Sequence, residues 1–462
     1  MIEMEKKLTR FSAAARPTRV SPAPPMTIDS TWLVSFKEDV PCAFTPAAPH
    51  RHSAVFVDGQ IKLMQAAPRE PMTWDEFIHR QFARHLSRHL EHCDTVILAF
   101  DNYAEVPRAK AMTQLKRRRP IPACPLEDGA ELPCMVPEGE LWTQCISSRA
   151  FKARVVDLVL LRLPHVLLVG RPGKRLVVDY TRPVEHSFEP GVGMRRAELA
   201  DLEPLGEADV KFPRYAAMHG SLLVDSIDGD SVAIALRHHE LCVRHGASPP
   251  RVSVFRLELK TSDSKAEPDP KPEDKKRKRP PPRTYEYVDI PALYQGLMVA
   301  VAQSVGRVLL PSHRGHEMAM LLALVGLTGT DFSRGLPLLS GRALFSYLPD
   351  LWGTLAAVYD PACEALAVDG AADRLVGLVY RTKYQNHAKA RGLPAVLDEL
   401  RASKLSQRVK DSLPSRARVA CTVRNTNWLL AYWTCSRPPD PLQPAYGFRL
   451  GASGRPEYDD AE

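Results

Sequence analysis

The sequence predicts an α/β fold, in which a mostly parallel central sheet is flanked by helices and followed by a helical C-terminal region. Three observations carry this reading. Short apolar runs that end in or lead into an acidic residue recur along the chain, as in Ala54–Asp58, Thr95–Asp101 and Ser221–Ser226, the last running into Asp228. Stretches with helical periodicity lie between them, and strands alternating with helices favour parallel pairing. The last hundred residues read as mostly helical, with an aromatic cluster at Trp428, Tyr432 and Trp433.

Taken in order, residues 1–50 read as a loose extension rich in Pro and Ala, with one strand at Trp32–Phe36. Ala54–Asp58, followed by Gly59, is a buried strand. Trp74 to Cys93 is a helix, since Trp74, Ile78, Phe82, Leu86 and Leu90 recur every four residues. Thr95 to Asp101 is the second buried strand. Pro107 opens a basic helix to about Arg119, because a proline at the first helical position gives up no needed N–H. Residues 120–150 read as a proline-punctuated loop, and Val166 to Tyr180 as a hairpin around Gly170-Arg171-Pro172-Gly173. Glu207 to His219 suits a helix, Ser221 to Ser226 a third strand and Val252 to Leu259 a fourth.

Thr261 to Arg283 breaks the pattern. It has six prolines, no aromatic residue and the run Lys275-Lys276-Arg277-Lys278-Arg279, so it reads as a solvated basic linker. Tyr285 to Val305 and Glu317 to Leu327 read as helices. The organisation is thus an extension (1–50), a core with insertions at 120–200 and 261–283 (51–350), and a helical region (351–462).

Composition narrows the classes. In 462 residues, 44% are hydrophobic, which excludes wholesale disorder. Lys and Arg total 62 against 54 Asp and Glu, a net charge of +8 that permits a polyanionic partner. The nine cysteines form no CxxC pair, which speaks against a zinc ribbon or a disulfide framework and for reduced thiols in the nucleus or cytoplasm. Val155–Gly170 is the most apolar stretch, but Asp157, Arg162, Pro164 and His165 interrupt it, so no membrane partner is expected. Met1–Thr27 has no apolar core and does not read as a secretory signal.

The chemistry resides in acids at strand ends. Asp58 and Asp101 close apolar runs, Asp228 and Asp230 follow Leu222-Leu223-Val224, Glu207 and Asp209 start a helix, and Asp331 follows an apolar helix through a Gly-rich turn. Ligands of parallel α/β sheets bind outside the carboxyl ends of the strands. Carboxylates gathered there repel one another unless a hard divalent cation such as Mg²⁺ neutralises them. Taken singly, each Asp is equally well a turn or N-cap residue.

The order of these acids resembles that of the flap endonuclease and 5′→3′ exonuclease superfamily, whose fold is PIN-like. Val55-Phe56-Val57-Asp58 is similar to its first acidic strand and Gly206-Glu207-Ala208-Asp209 to its GE-x-[ED] segment. Asp228-Gly229-Asp230 is similar to its D-x-D strand end, and Gly329-Thr330-Asp331-Phe332 to its Gly-rich turn. Pro107-Arg108-Ala109-Lys110, with Gln114, Arg117 and Arg118, resembles a helix of Xrn-type 5′→3′ exoribonucleases. These four side chains fall at i, i+4, i+7 and i+8, one helix face able to grip a terminal phosphate.

The resemblance implies a two-ion Mg²⁺ (or Mn²⁺) nuclease. Its ions would be held by Asp58, Asp101, Glu207, Asp209, Asp228, Asp230 and Asp331. Its partner would be RNA or DNA with a single-stranded 5′ end or a flap. A structure-specific endonuclease and a nucleic-acid-binding scaffold without activity are the alternatives. Three further motifs compete with it. Asp228-Gly229-Asp230-Ser231-Val232 also fits the DxDx[TV] nucleophile motif of haloacid dehalogenase phosphatases. His85, His89 and His92 share a helix face that could hold zinc, although their arginine neighbours favour a solvated rim. Gly170-Arg171-Pro172-Gly173-Lys174 lacks the spacing of a P-loop.

Overall fold

The apolar runs become the centre of a nine-stranded mixed sheet in the computed structural model. It describes residues 31–102, 131–226, 229–257, 284–305, 313–329, 335–368, 370–390, 392–434, 443, 446, 448–450 and 456–458. The strands are β1 (Phe44–Thr45), β2 (Ala54–Asp58), β3 (Thr95–Ala99), β4 (Arg175–Asp179), β5 (Pro183–Glu189), β6 (Gly193–Glu198), β7 (Ser221–Asp225), β8 (Arg251–Leu257) and β9 (Tyr285–Asp289), in the order β1-β9-β8-β7-β2-β3-β4-β5-β6. The five central strands, β8 to β4, pair in parallel. The outer pairings are antiparallel. β2 and β3 are buried along their whole length, as continuous apolar runs in a parallel sheet require.

Two cores sandwich the sheet. Alternation sends Val55, Val57, Val96, Leu98, Leu176, Val178 and Leu223 to one face. There they meet α2 (Gly59–Gln65), α3 (Trp74–Phe77), a π-helical turn (Ile78–Ala83), α4 (Arg84–His92), α5 (Gly139–Ser147) and α6 (Arg149–Leu168). α1 (Thr31–Asp39) belongs to the other face, with Phe56, Ile97, Ala99, Val177, Leu222, Val224 and Val254. That face also carries α7 (Phe212–His219), α8 (Gly229–Arg244), α9 (Ile290–Val305) and α10 (Glu317–Thr328). The C-terminal helices α11 (Gly341–Ser346), α12 (Leu348–Val358), α13 (Gly370–Lys383), α14 (Leu393–Ala402) and α16 (Arg416–Tyr432) extend this second core, with the short α15 (Gln407–Asp411) between the last two. Trp428, Tyr432 and Trp433 are buried in it, the first two with stacked rings 5.0 Å apart. No described helix is long and apolar enough to cross a membrane.

Several local expectations are corrected. Trp32–Phe36 is helical, not a strand, and Trp32 and Phe36 pack edge to face in the core. Residues 139–147 form a helix where a loop was expected, because Trp142, Cys145 and Ile146 share one buried face. Gly170 and Gly173 turn α6 into β4 rather than closing a hairpin; the hairpin pairs β4 with β5. The helix expected from Glu207 begins only at Phe212, with Pro213 in its first turn, so Glu207 and Asp209 stand in the preceding turn. Tyr285–Asp289 is an antiparallel strand ahead of α9. The basic linker and the Pro107 helix lie outside the described residues.

Candidate carboxylate site and a neighbouring histidine cluster

Asp58, Asp101 and Asp230 lie at the carboxyl end of parallel strands or in the turn that follows, Glu207 and Asp209 lie in the turn before α7, and none is more than 6% exposed. Asp58 ends β2. Its Oδ1 accepts from the Ile61 N–H at 3.0 Å and caps α2, so the ordinary N-cap role is present. Gly59 follows because the Phe100 ring fills the space of a side chain: a Cβ there would lie 2.6 Å from Phe100 Cε1.

Asp101 follows β3, the parallel neighbour of β2. It is tied to the turn that carries Glu207 and Asp209. Its Oδ1 accepts from the Ala208 N–H at 3.1 Å, and the Asn102 N–H donates to the Gly206 carbonyl at 2.5 Å. Asp230 stands in the first turn of α8, reached from β7 on the other side of β2. Ser231 joins that turn to Asp209: its Oγ–H donates to Asp209 Oδ1 at 3.3 Å and shares a 2.9 Å hydroxyl bond with Ser226. Residues far apart in sequence thereby meet at one end of the sheet. Asp228, Asp331 and the phosphate-gripping set Lys110, Gln114, Arg117 and Arg118 lie outside the described residues.

A buried cation anchors this corner. Lys211 Nζ donates to the carbonyls of Phe100 (2.7 Å), Asp179 (3.2 Å) and Tyr180 (3.2 Å) and pairs with Asp179 Oδ1 at 3.1 Å. Burial pulls the Lys211 ammonium below its ordinary pKa, while Asp179 and Asp101 oppose that shift. Asp179 also receives the Arg214 guanidinium and the Tyr215 hydroxyl, the latter at 2.8 Å. The end of β4 is thus locked to the end of β3, which sets the position of Asp101.

The five acids are buried carboxyl groups near the strand ends, where α/β sheets bind ligands. The five are spread out. Among the described residues, the only three possible ligand atoms within 4.8 Å of one another belong to His85, His89 and Asp225.

Asp179, Lys211 and Asp225 are the important residues that sequence reasoning passed over. Asp179 and Asp225 each end an apolar run, Leu176–Val178 and Leu222–Val224, which is the very signal that singled out Asp58. Asp225 instead ion-pairs with Lys62 and hydrogen-bonds with His85 and His89, so the two histidines are not a solvated rim; His92 is not part of the cluster. No protein-family model matches the chain, and no curated protein matches it.

Proposed function

We propose that this chain is a Mg²⁺- or Mn²⁺-dependent 5′ nuclease with a PIN-like core, acting as a 5′→3′ exonuclease on nucleic acid. The observation that carries the reading is the lacing of three separate acidic segments at one sheet end: Asp101 to the Gly206–Asp209 turn, and that turn to the start of α8 through Ser231. A scaffold gains nothing from burying like charges together, whereas a phosphodiesterase needs them to hold cations. When bound, two ions supply an acidified water and neutralise charge on the oxygens of an in-line displacement. Asp58, Asp101, Glu207, Asp209 and Asp230 would hold them, with Asp228 and Asp331 completing the set. Lys211 keeps the β3 end in place, while Lys110, Gln114, Arg117 and Arg118 bind the terminal phosphate of the substrate.

The test is to incubate 5′- and 3′-labelled single strands, flaps and duplexes with Mg²⁺ and to size the products. Mononucleotides released from 5′-phosphorylated strands, and far fewer from 5′-hydroxyl strands, are expected. A rate ratio near one for the two ends favours the flap-type endonuclease. Nucleic-acid binding without cleavage in Mg²⁺ or Mn²⁺ overturns the enzyme reading in favour of the scaffold.

A further inference from the structure

We infer that His85, His89 and Asp225 form a binding site for a divalent transition ion, zinc foremost, on the sheet face opposite the five carboxylates. His85 and His89 are one helical turn apart on α4 and so project from one side of it. Both Nε2 atoms converge on Asp225 Oδ2, His85 at 2.8 Å and His89 at 3.4 Å, and they lie 3.2 Å from each other. Tetrahedral ligands at bond lengths of about 2.0–2.1 Å are separated by about 3.3 Å, so these three atoms have the spacing of one triangular face around an ion.

The chemistry agrees with the geometry. Two imidazoles and one carboxylate suit zinc and its neighbours, whereas Mg²⁺ prefers an all-oxygen set. Asp225 is 4% exposed, while the His85 and His89 side chains are 31% and 18% exposed, so the site is anchored from below and open to solvent. Three protein ligands leave a fourth position for water or a ligand. Lys62, on α2, holds its Nζ 3.2 Å from Asp225 Oδ2 and stands where it competes with an ion for that oxygen.

The experiment uses the full chain, stripped by chelator and titrated with Zn²⁺ and with Co²⁺ in excess Mg²⁺. One equivalent should bind, with visible Co²⁺ bands and two imidazole nitrogens in the X-ray absorption spectrum. His85→Ala and His89→Ala should each weaken binding by about a hundredfold or more, beyond the 10–100-fold typical of residues that merely support ligands. Lys62→Met should tighten binding several-fold; a plain ion-pair network would leave metal affinity unmoved. Failure of the parent chain to bind an equivalent of Zn²⁺, or undiminished binding by the double histidine variant, overturns the site. If a variant does not fold, the absorption spectrum of the loaded parent decides: an all-oxygen shell overturns the site and two imidazoles uphold it.

Discussion

Asp58 and Asp225 end neighbouring parallel strands, yet they serve opposite faces of the sheet. The register pairs Asp225 with Val57, so Asp58 stands one residue further along. Since side chains alternate, that single step turns one carboxylate toward the acidic turns and the other toward α4. Asp58 therefore accepts from the Ile61 N–H as the cap of α2, while Asp225 meets two imidazoles and an ammonium. The residue type and the strand end are the same; register alone decides which chemistry each can do. If the comparison is right, the two faces can be silenced independently.

The largest effect expected is on the acidic face. Asp209→Asn combined with Asp230→Asn keeps the volume of both side chains and removes two charges. Mg²⁺-dependent cleavage should fall by at least about a thousandfold, because the ions lose their hold on the reacting oxygens. Zn²⁺ binding by the same variant should be unchanged. A variant that loses zinc as well would show that the two faces are coupled, and the comparison would fail.

Next in size is the anchor beneath that face. Lys211→Met leaves Asp179 buried with Arg214 and Tyr215 as its remaining partners. Removing one member of a buried pair costs about 3–5 kcal/mol, and the surviving partners place this case near the lower end. Urea unfolding reads the loss. A change below about 1 kcal/mol would mean that Lys211 is dispensable to the corner, as expected of the exposed pairs elsewhere on the surface.

Much of this was legible in the sequence, and the failures have physical causes. The central strands were visible because both of their faces are covered, which leaves unbroken apolar runs such as Val55–Val57 and Val96–Ala99. The helix around Ile78, Phe82, Leu86 and Leu90 was visible by its period, although the π-helical turn inside it was not. β9 was missed because five residues of Tyr285–Asp289 lead without a break into an apolar helix. Glu207 and Asp209 were singled out by pattern but set in the wrong element, since Pro213 fixes where α7 begins. Asp225 escaped because the cluster needs a β7 residue beside α4, a contact across 136 positions that no local window contains.

A third prediction separates a histidine that ligates from one that only packs. His239, on α8 under the acidic face, is 6% exposed and lies against Tyr294, with ring centroids 4.7 Å apart. Burial, helped by His238 and opposed by Asp289, holds its pKa at about 4. The unfolded chain then takes up a proton that the folded chain refuses. Its stabilising contribution is complete above about pH 6.5 and is lost as the pH falls toward 4, on the order of 2 kcal/mol at pH 5. His239→Phe should flatten the acid limb of the stability curve by one proton's worth while leaving Zn²⁺ binding intact. An unchanged limb would show that His239 takes up its proton as readily when folded.

The smallest effect concerns α2. Its N-cap is Asp58 on the acidic side, and its Lys62 reaches Asp225 on the other. Asn caps a helix about as well as Asp, whereas Ala forfeits roughly 1 kcal/mol. Asp58→Asn should therefore keep the fold and the Lys62–Asp225 pair while impairing Mg²⁺-dependent cleavage. Asp58→Ala should lose the same activity and about 1 kcal/mol of stability besides, read as a lower urea midpoint at constant m. The difference between the two variants isolates the cap from the charge. Equal stability would mean that the 3.0 Å bond to the Ile61 N–H contributes nothing to holding α2, and that Lys62 is positioned by its ion pair alone.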